Sequence, residues 1–209
     1  MVSSSATWTT RNERRISTAR LKIGLPFVLI LGFSSTVLAQ ARQLSEFQLT
    51  KITRIITTSP DYSVTGTEQF ATERNGEWLA VEVEFTAAPE FTNELTIKYF
   101  VFLNGKVLTG EVTHINVASG RERRSIMYVP PRTLARLNNN QAITPSAVRN
   151  IAVQIVQQGT VKSELSLVRA RPQWYTAIPN VPGVMLNKNE TPFAPLYWDR
   201  YEQIKAPGR

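Results

Sequence analysis

From Leu95 to Leu103 the side chains alternate up to an Asn104-Gly105 dipeptide, and few folds accommodate that pattern. Leu95, Ile97, Tyr99, Val101 and Leu103 fall on one side, and Thr96, Lys98, Phe100 and Phe102 on the other. Period two marks a strand, because successive side chains leave a pleated backbone on opposite faces. Both faces here are largely apolar, which predicts a strand inside its sheet. Asn and Gly supply the positive φ of a type I′ turn, so residues 106–117 are predicted to return as the antiparallel partner. In 77–86, Leu79, Val81, Val83 and Phe85 oppose Glu82 and Glu84, the pattern of a strand with one wet face.

Residues 46–57 are rich in β-branched types and end at a Ser59-Pro60-Asp61 turn. Residues 123–129 read as a strand stopped by Pro130-Pro131, with one helical turn predicted over 132–137 and a loop over 138–141. Residues 149–157 and 160–169 are two further strands joined at Gln158-Gly159. About seven strands without a long helix predict an all-β, immunoglobulin-like antiparallel sandwich over residues 40–171. A small barrel or jelly roll is the alternative. The Cys–Trp–Cys signature of antibody domains is missing, so the expectation rests on strand number.

The first 39 residues say where such a domain works. Arg11, Arg14, Arg15, Arg20 and Lys22 precede an apolar run from Gly24 to Phe33, and small residues lead to Val37-Leu38-Ala39. Charge, apolar run and small residues in that order form a secretory signal pattern. Residues 1–39 are therefore read as a signal peptide cleaved near Ala39, with Ala39-Gln40-Ala41 as an alternative site. Retention as an anchor is the minor reading, because the apolar run is short beside the ~20 residues of a spanning helix. No membrane span is expected after cleavage, and the destination is the periplasm, the outer membrane surface or the medium.

Composition narrows the function classes. The leader holds five of the 24 Lys+Arg and one of the 16 Asp+Glu, so the remainder carries 19 against 15, a net charge of +4. That is a poor basis for nucleic-acid binding. Cysteine is absent, which removes disulfides, thiol chemistry and Cys-ligated metals. His114 is the single histidine, so an imidazole metal site within one chain is not expected and none is assigned. Only Asp61 and Asp199 supply aspartate, and no Gly-x-Ser-x-Gly elbow or phosphate-cradling glycine loop occurs. Glu82 and Glu84, about 7 Å apart along a strand, have the residue types of a glycosidase pair, yet a solvated face explains them equally. No catalytic residue and no cofactor is assigned, and the chain is expected not to be an enzyme.

Two features remain as candidate contact surfaces. Arg121, Arg123 and Arg124 form a candidate basic patch for an acidic partner, although charges at a strand edge also deter unwanted pairing. Residues 172–209 form a C-terminal arm in which six prolines alternate with Trp174, Tyr175, Phe193, Tyr197, Trp198 and Tyr201. Proline removes ladder donors, so the arm is predicted to be extended, non-sheet chain. Solvated tails are poor in aromatics, and Phe193, Tyr197 and Trp198 are expected to be buried against their own sandwich or a neighbouring subunit. Asn189-Glu190-Thr191 matches a glycosylation sequon, which carries no weight in the bacterial envelope that an exported domain without disulfides points to.

The tail from Asn187 to Lys205, with its Thr191-Pro192-Phe193-Ala194-Pro195-Leu196-Tyr197-Trp198-Asp199-Arg200-Tyr201 centre, together with the leader and the β domain, resembles the verrucomicrobial pilus-like protein family. These are small exported proteins associated with pilus-assembly gene clusters in mucin-degrading bacteria and their relatives. The resemblance implies an immunoglobulin-like fold, self-association and a non-enzymatic accessory part in a type IV pilus-like apparatus, and it supplies no catalytic residues. One departure matters: a pilin signal ends at a Gly followed by a hydrophobic helix with Glu at its fifth position. Here Gly24 precedes Leu25-Pro26-Phe27-Val28-Leu29, so the chain is not expected to polymerise through an N-terminal helix. Its expected partners are further copies of itself and pilus or envelope proteins. The alternative is a carbohydrate- or host-surface-binding module, or a periplasmic assembly chaperone.

Overall fold

Two strands run much further than the sequence suggests. The structure, a computed structural model, describes residues 45–62 and 76–206; the predicted signal peptide lies outside the described residues. Among those described, β1 spans Phe47–Thr58, β2 Glu77–Leu103, β3 Lys106–Val129, β4 Val148–Gln157 and β5 Thr160–Ser166. A short helix α1, Pro131–Leu137, follows the Pro130-Pro131 stop as predicted. The arm adds two short strands, β6 Asn180–Pro182 and β7 Leu186–Asn187. The strand number reaches seven by a different division, because the four central stretches read separately merge into the single hairpin β2–β3.

The breaks seen in the sequence are bends. The β2–β3 ladder is continuous except around Ala87↔Gly120 and Phe91↔Ala118, where register shifts occur. Pro89 sits inside that bend, where a residue without an N–H removes no ladder bond. On β3 the bend falls at Ser119-Gly120. A side-chain carbon on Gly120 would come within 2.7 Å of the Arg123 guanidinium, so glycine is required for Arg123 to fold back. The turn joining the two strands has Asn104 at φ 46° and Gly105 at φ 75°, the positive values expected of it.

Bending lets one ladder serve two layers of an all-β sandwich. The first half of β2 pairs with β1 and with the second half of β3, which carries β7. Beyond the bend, β2 pairs with β4, which pairs with β5, while the first half of β3 carries β6. All pairings are antiparallel except β3 with β6, so the sheet is mixed. Inward residues from both layers, including Phe47, Leu79, Phe85, Ile97, Tyr99 and Ile151, make one apolar core.

The arm is strand-forming in part, contrary to the expectation from its prolines. Asn180 and Val181 pair with Val107 and Leu108, Leu186 and Asn187 with Tyr128 and Met127, and Ile204 with His114. Pro182 closes β6 at its end, where its missing donor costs nothing. Met185, between the two pairings, enters the core over Gly110; a side chain there would stand 2.6 Å from the Met185 Cβ. The arm therefore straps its own sandwich.

Candidate interaction surface

Two outer faces, one on each layer, explain why the strands are apolar on both sides. On the β4 side, Phe100 and Phe102 are covered by the arm's first turn. The Tyr175 ring stacks on Phe100 at 3.7 Å between centroids, and Trp174 meets Phe102 at 5.9 Å. Glu164 of β5 accepts the Gln173 N–H at 3.0 Å and the Tyr175 hydroxyl at 3.2 Å, and Trp174 Nε1 donates to Ser166. Burial beside that carboxylate pushes the Tyr175 phenol well above its ordinary range. These rings dock on the arm's own domain.

On the β1 side, Trp78, Ala80, Ile126 and Tyr128 form a second apolar face, and Phe193 covers it. Phe193 lies parallel to Tyr128 at 4.6 Å and edge-on to Trp78 at 5.5 Å. Glu82 stands on this same face. It is only 4% exposed, so the wet-face reading of Glu82 is corrected: the face is covered by the arm rather than by water. Arg200 donates to both carboxylate oxygens at 2.9 and 3.0 Å, and the Tyr201 hydroxyl donates at 2.7 Å. Burial alone would raise the Glu82 carboxyl, but these bonds and the nearby Arg200 and Arg124 charges hold it below the usual range. Glu84 lies 3.4 Å from Arg124 and 3.7 Å from Lys51.

The basic patch is not assembled as a patch. Arg121 is exposed, whereas Arg123 and Arg124 are half-buried. Arg123 donates to the Ser119 carbonyl at 2.6 Å and pairs with Glu202 of the arm at 3.4 Å. The strand bend turns two of the three guanidinium groups toward the molecule's own acids.

His114 is interior, 1% exposed. Its Nδ1–H faces the Glu202 carbonyl of the arm at 3.1 Å, which fixes Nε2 as the acceptor for the Ser125 hydroxyl at 2.7 Å. Tyr99 in turn donates to Ser125 at 2.7 Å. Burial lowers the imidazole pKa to about 4. The relay runs from core to arm, and sequence reading missed it because its members lie 11 to 88 residues apart. Flanking it, Glu202 N–H donates to Arg124 O, Ile115 N–H to Gln203 O and Lys205 N–H to Thr113 O.

The arm's apex differs from the rest of it. Tyr197 is 64% and Trp198 80% exposed, so the expectation that both are buried is corrected. Successive turns, with Leu196 N–H bonded to Phe193 O and Arg200 N–H to Tyr197 O, reverse the chain there, and Tyr197 has φ 51°. Both rings project from that reversal rather than into the core. Each ring borders a different cleft. Tyr197 flanks a cleft of about 500 Å³ floored by Ile55, Ala80 and Ile126. Trp198 flanks one of about 470 Å³ lined by Lys188, Asn189, Glu202 and Gln203. Among the described residues no group of three His, Cys, Asp or Glu side chains is placed to hold a metal, and no helix is long and apolar enough to cross a membrane.

A family model matches residues 38–208, nearly the whole of the β domain and arm. The chain belongs to that family. Among solved structures, a crystal structure of a protein from Akkermansia muciniphila, a verrucomicrobe, aligns with a TM-score of 0.67 at 21% identity. The alignment covers 78% of this chain and 94% of that one, and it shows the shared fold. No curated protein matches the sequence.

Proposed function

We propose that this is a non-enzymatic exported structural protein that associates with itself, and that it is an accessory component of a type IV pilus-like apparatus. The observation that carries the reading is the division of labour along the arm. Trp174, Tyr175, Phe193 and Tyr201 are spent on the arm's own domain, while Tyr197 is left standing beside a cleft of mixed lining in which Ile55, Ala80 and Ile126 adjoin Thr57, Thr58 and Arg200. Exposed tyrosines and arginines beside a cleft are common anchors of protein contacts. A second copy, offering its own Tyr197 apex, is the occupant: an isologous contact lets one patch serve both partners. The pilus setting comes from the family resemblance of the tail, and export from the leader. The 80% exposure of Trp198 favours, as a second reading, a carbohydrate- or host-surface-binding role.

Light scattering on the purified exported domain tests the first reading. The mass is expected to rise with concentration toward a multiple of the single chain, and Tyr197→Ser is expected to keep it monomeric without changing its melting temperature. A wild-type protein that stays monomeric at high concentration contradicts self-association.

A further inference from the structure

The Trp198 cleft has a chemistry distinct from its neighbour. Lys188 lies in its wall and is 4% exposed. Its ammonium donates to the Ala194 carbonyl at 2.7 Å, and among the described residues no carboxylate pairs with it. Burial alone lowers its pKa, with no acid to oppose the shift. Its other two N–H donors find no acceptor among the described protein groups, so the wall of the cleft that Lys188 lines offers positive charge to a ligand.

The other polar groups around the cleft are donors as well. Gln203 Oε1 accepts from Asn116 at 3.2 Å, which leaves Nε2 as the amide's available end. The Asn189 side-chain amide is exposed at the rim, and Trp198 presents its indole ring and N–H. The one acid in the lining, Glu202, is paired with Arg123 at 3.4 Å. Donors around an unpaired ammonium call for an acceptor-rich anion, and an open indole face beside them calls for a flat, weakly polar ring face. A pyranose bearing a carboxylate offers both.

We propose that the Trp198–Lys188 cleft binds a hexuronic acid residue, its ring lying on the Trp198 indole and its carboxylate directed at the Lys188 ammonium. The site rests on the second reading of function and is independent of the Tyr197 contact, which faces the other cleft. Gln203 and Asn189 donate to the ring hydroxyls.

The test is an NMR titration of the purified exported domain, following the Trp198 indole N–H signal, assigned by its loss in Trp198→Phe. Methyl β-D-glucuronide is expected to shift it saturably at concentrations on the order of 10 mM, and methyl β-D-glucoside to bind roughly tenfold more weakly. Trp198→Ala is expected to abolish binding, read from the backbone amides around Gln203; its exposed side chain supports no packing, so the variant folds. Lys188→Met is expected to erase the preference for the glucuronide while weak binding of both sugars persists. Equal binding of the two glycosides overturns the hexuronic acid proposal and leaves the carbohydrate reading standing. Absence of any shift with either sugar overturns both. Unchanged glucuronide binding in Trp198→Ala overturns the site. Should Lys188→Met fold poorly, the comparison of the two glycosides on wild-type protein decides the role of charge by itself.

Discussion

At the residue scale, single side chains of the sandwich hold the end of the arm. Glu82 accepts three hydrogen bonds from Arg200 and Tyr201 in a mostly buried setting, and bonds to a charged group contribute about 1.5–3 kcal/mol each. Arg200→Ala should destabilise the domain toward the lower end of that range, because the guanidinium is partly in water; urea denaturation measures it. His114 gives a pH dependence of known sign. Its folded pKa, about 4, lies below the ordinary 6.5, so between those values the unfolded chain binds the extra proton. Its contribution to stability is therefore fully present above pH 6.5 and is lost as pH falls toward 4. Thermal melts from pH 7 to 4.5 should show a falling melting temperature, with a shallower fall in His114→Gln. The acid loss at Glu82, whose carboxyl is held low, follows at more acidic pH, while the raised Glu202 acts in the opposite sense. Neither Glu82's burial nor the His114 relay was legible in the sequence: alternation separates two faces but does not say whether water or another segment covers the outer one.

Among elements, the strands were readable because period two depends only on local geometry. The division of β2 and β3 was not. Pro89 and Ser119-Gly120 carry the residue types that end strands, and here they bend strands that continue. The apolar outer residues Phe100 and Phe102 read only as the mark of a strand inside its sheet, because their cover, Trp174 and Tyr175, lies some 70 residues away. The arm's prolines misled in a similar way, since β6 and β7 need only two or three paired residues each. Deletion of residues 172–209 should expose Phe100, Tyr128 and Trp78 together. Burial of each such side chain is worth roughly 1.5–3 kcal/mol, so differential scanning calorimetry should show a melting temperature lowered by well over ten degrees or no cooperative transition. A truncated domain that melts like the full one would show that the strap contributes nothing. Gly110→Val tests the same docking locally: it should displace Met185 and destabilise the domain, because the backbone approach at that point leaves no room for a side chain.

In the whole molecule the arm is an intramolecular strap, and the contacts proposed above use only its apex. The amides of Ile115, Glu202 and Lys205 report on this directly, since each bonds across the seam between arm and β3. Native-state hydrogen exchange at these three positions, measured over a hundredfold range of protein concentration, separates a strap in one chain from an arm exchanged between chains. A strap closed within one chain gives protection that is high and independent of concentration, even as the mass in solution rises. Protection that disappears on dilution would mean that the arm docks on a neighbouring copy, and would contradict the account.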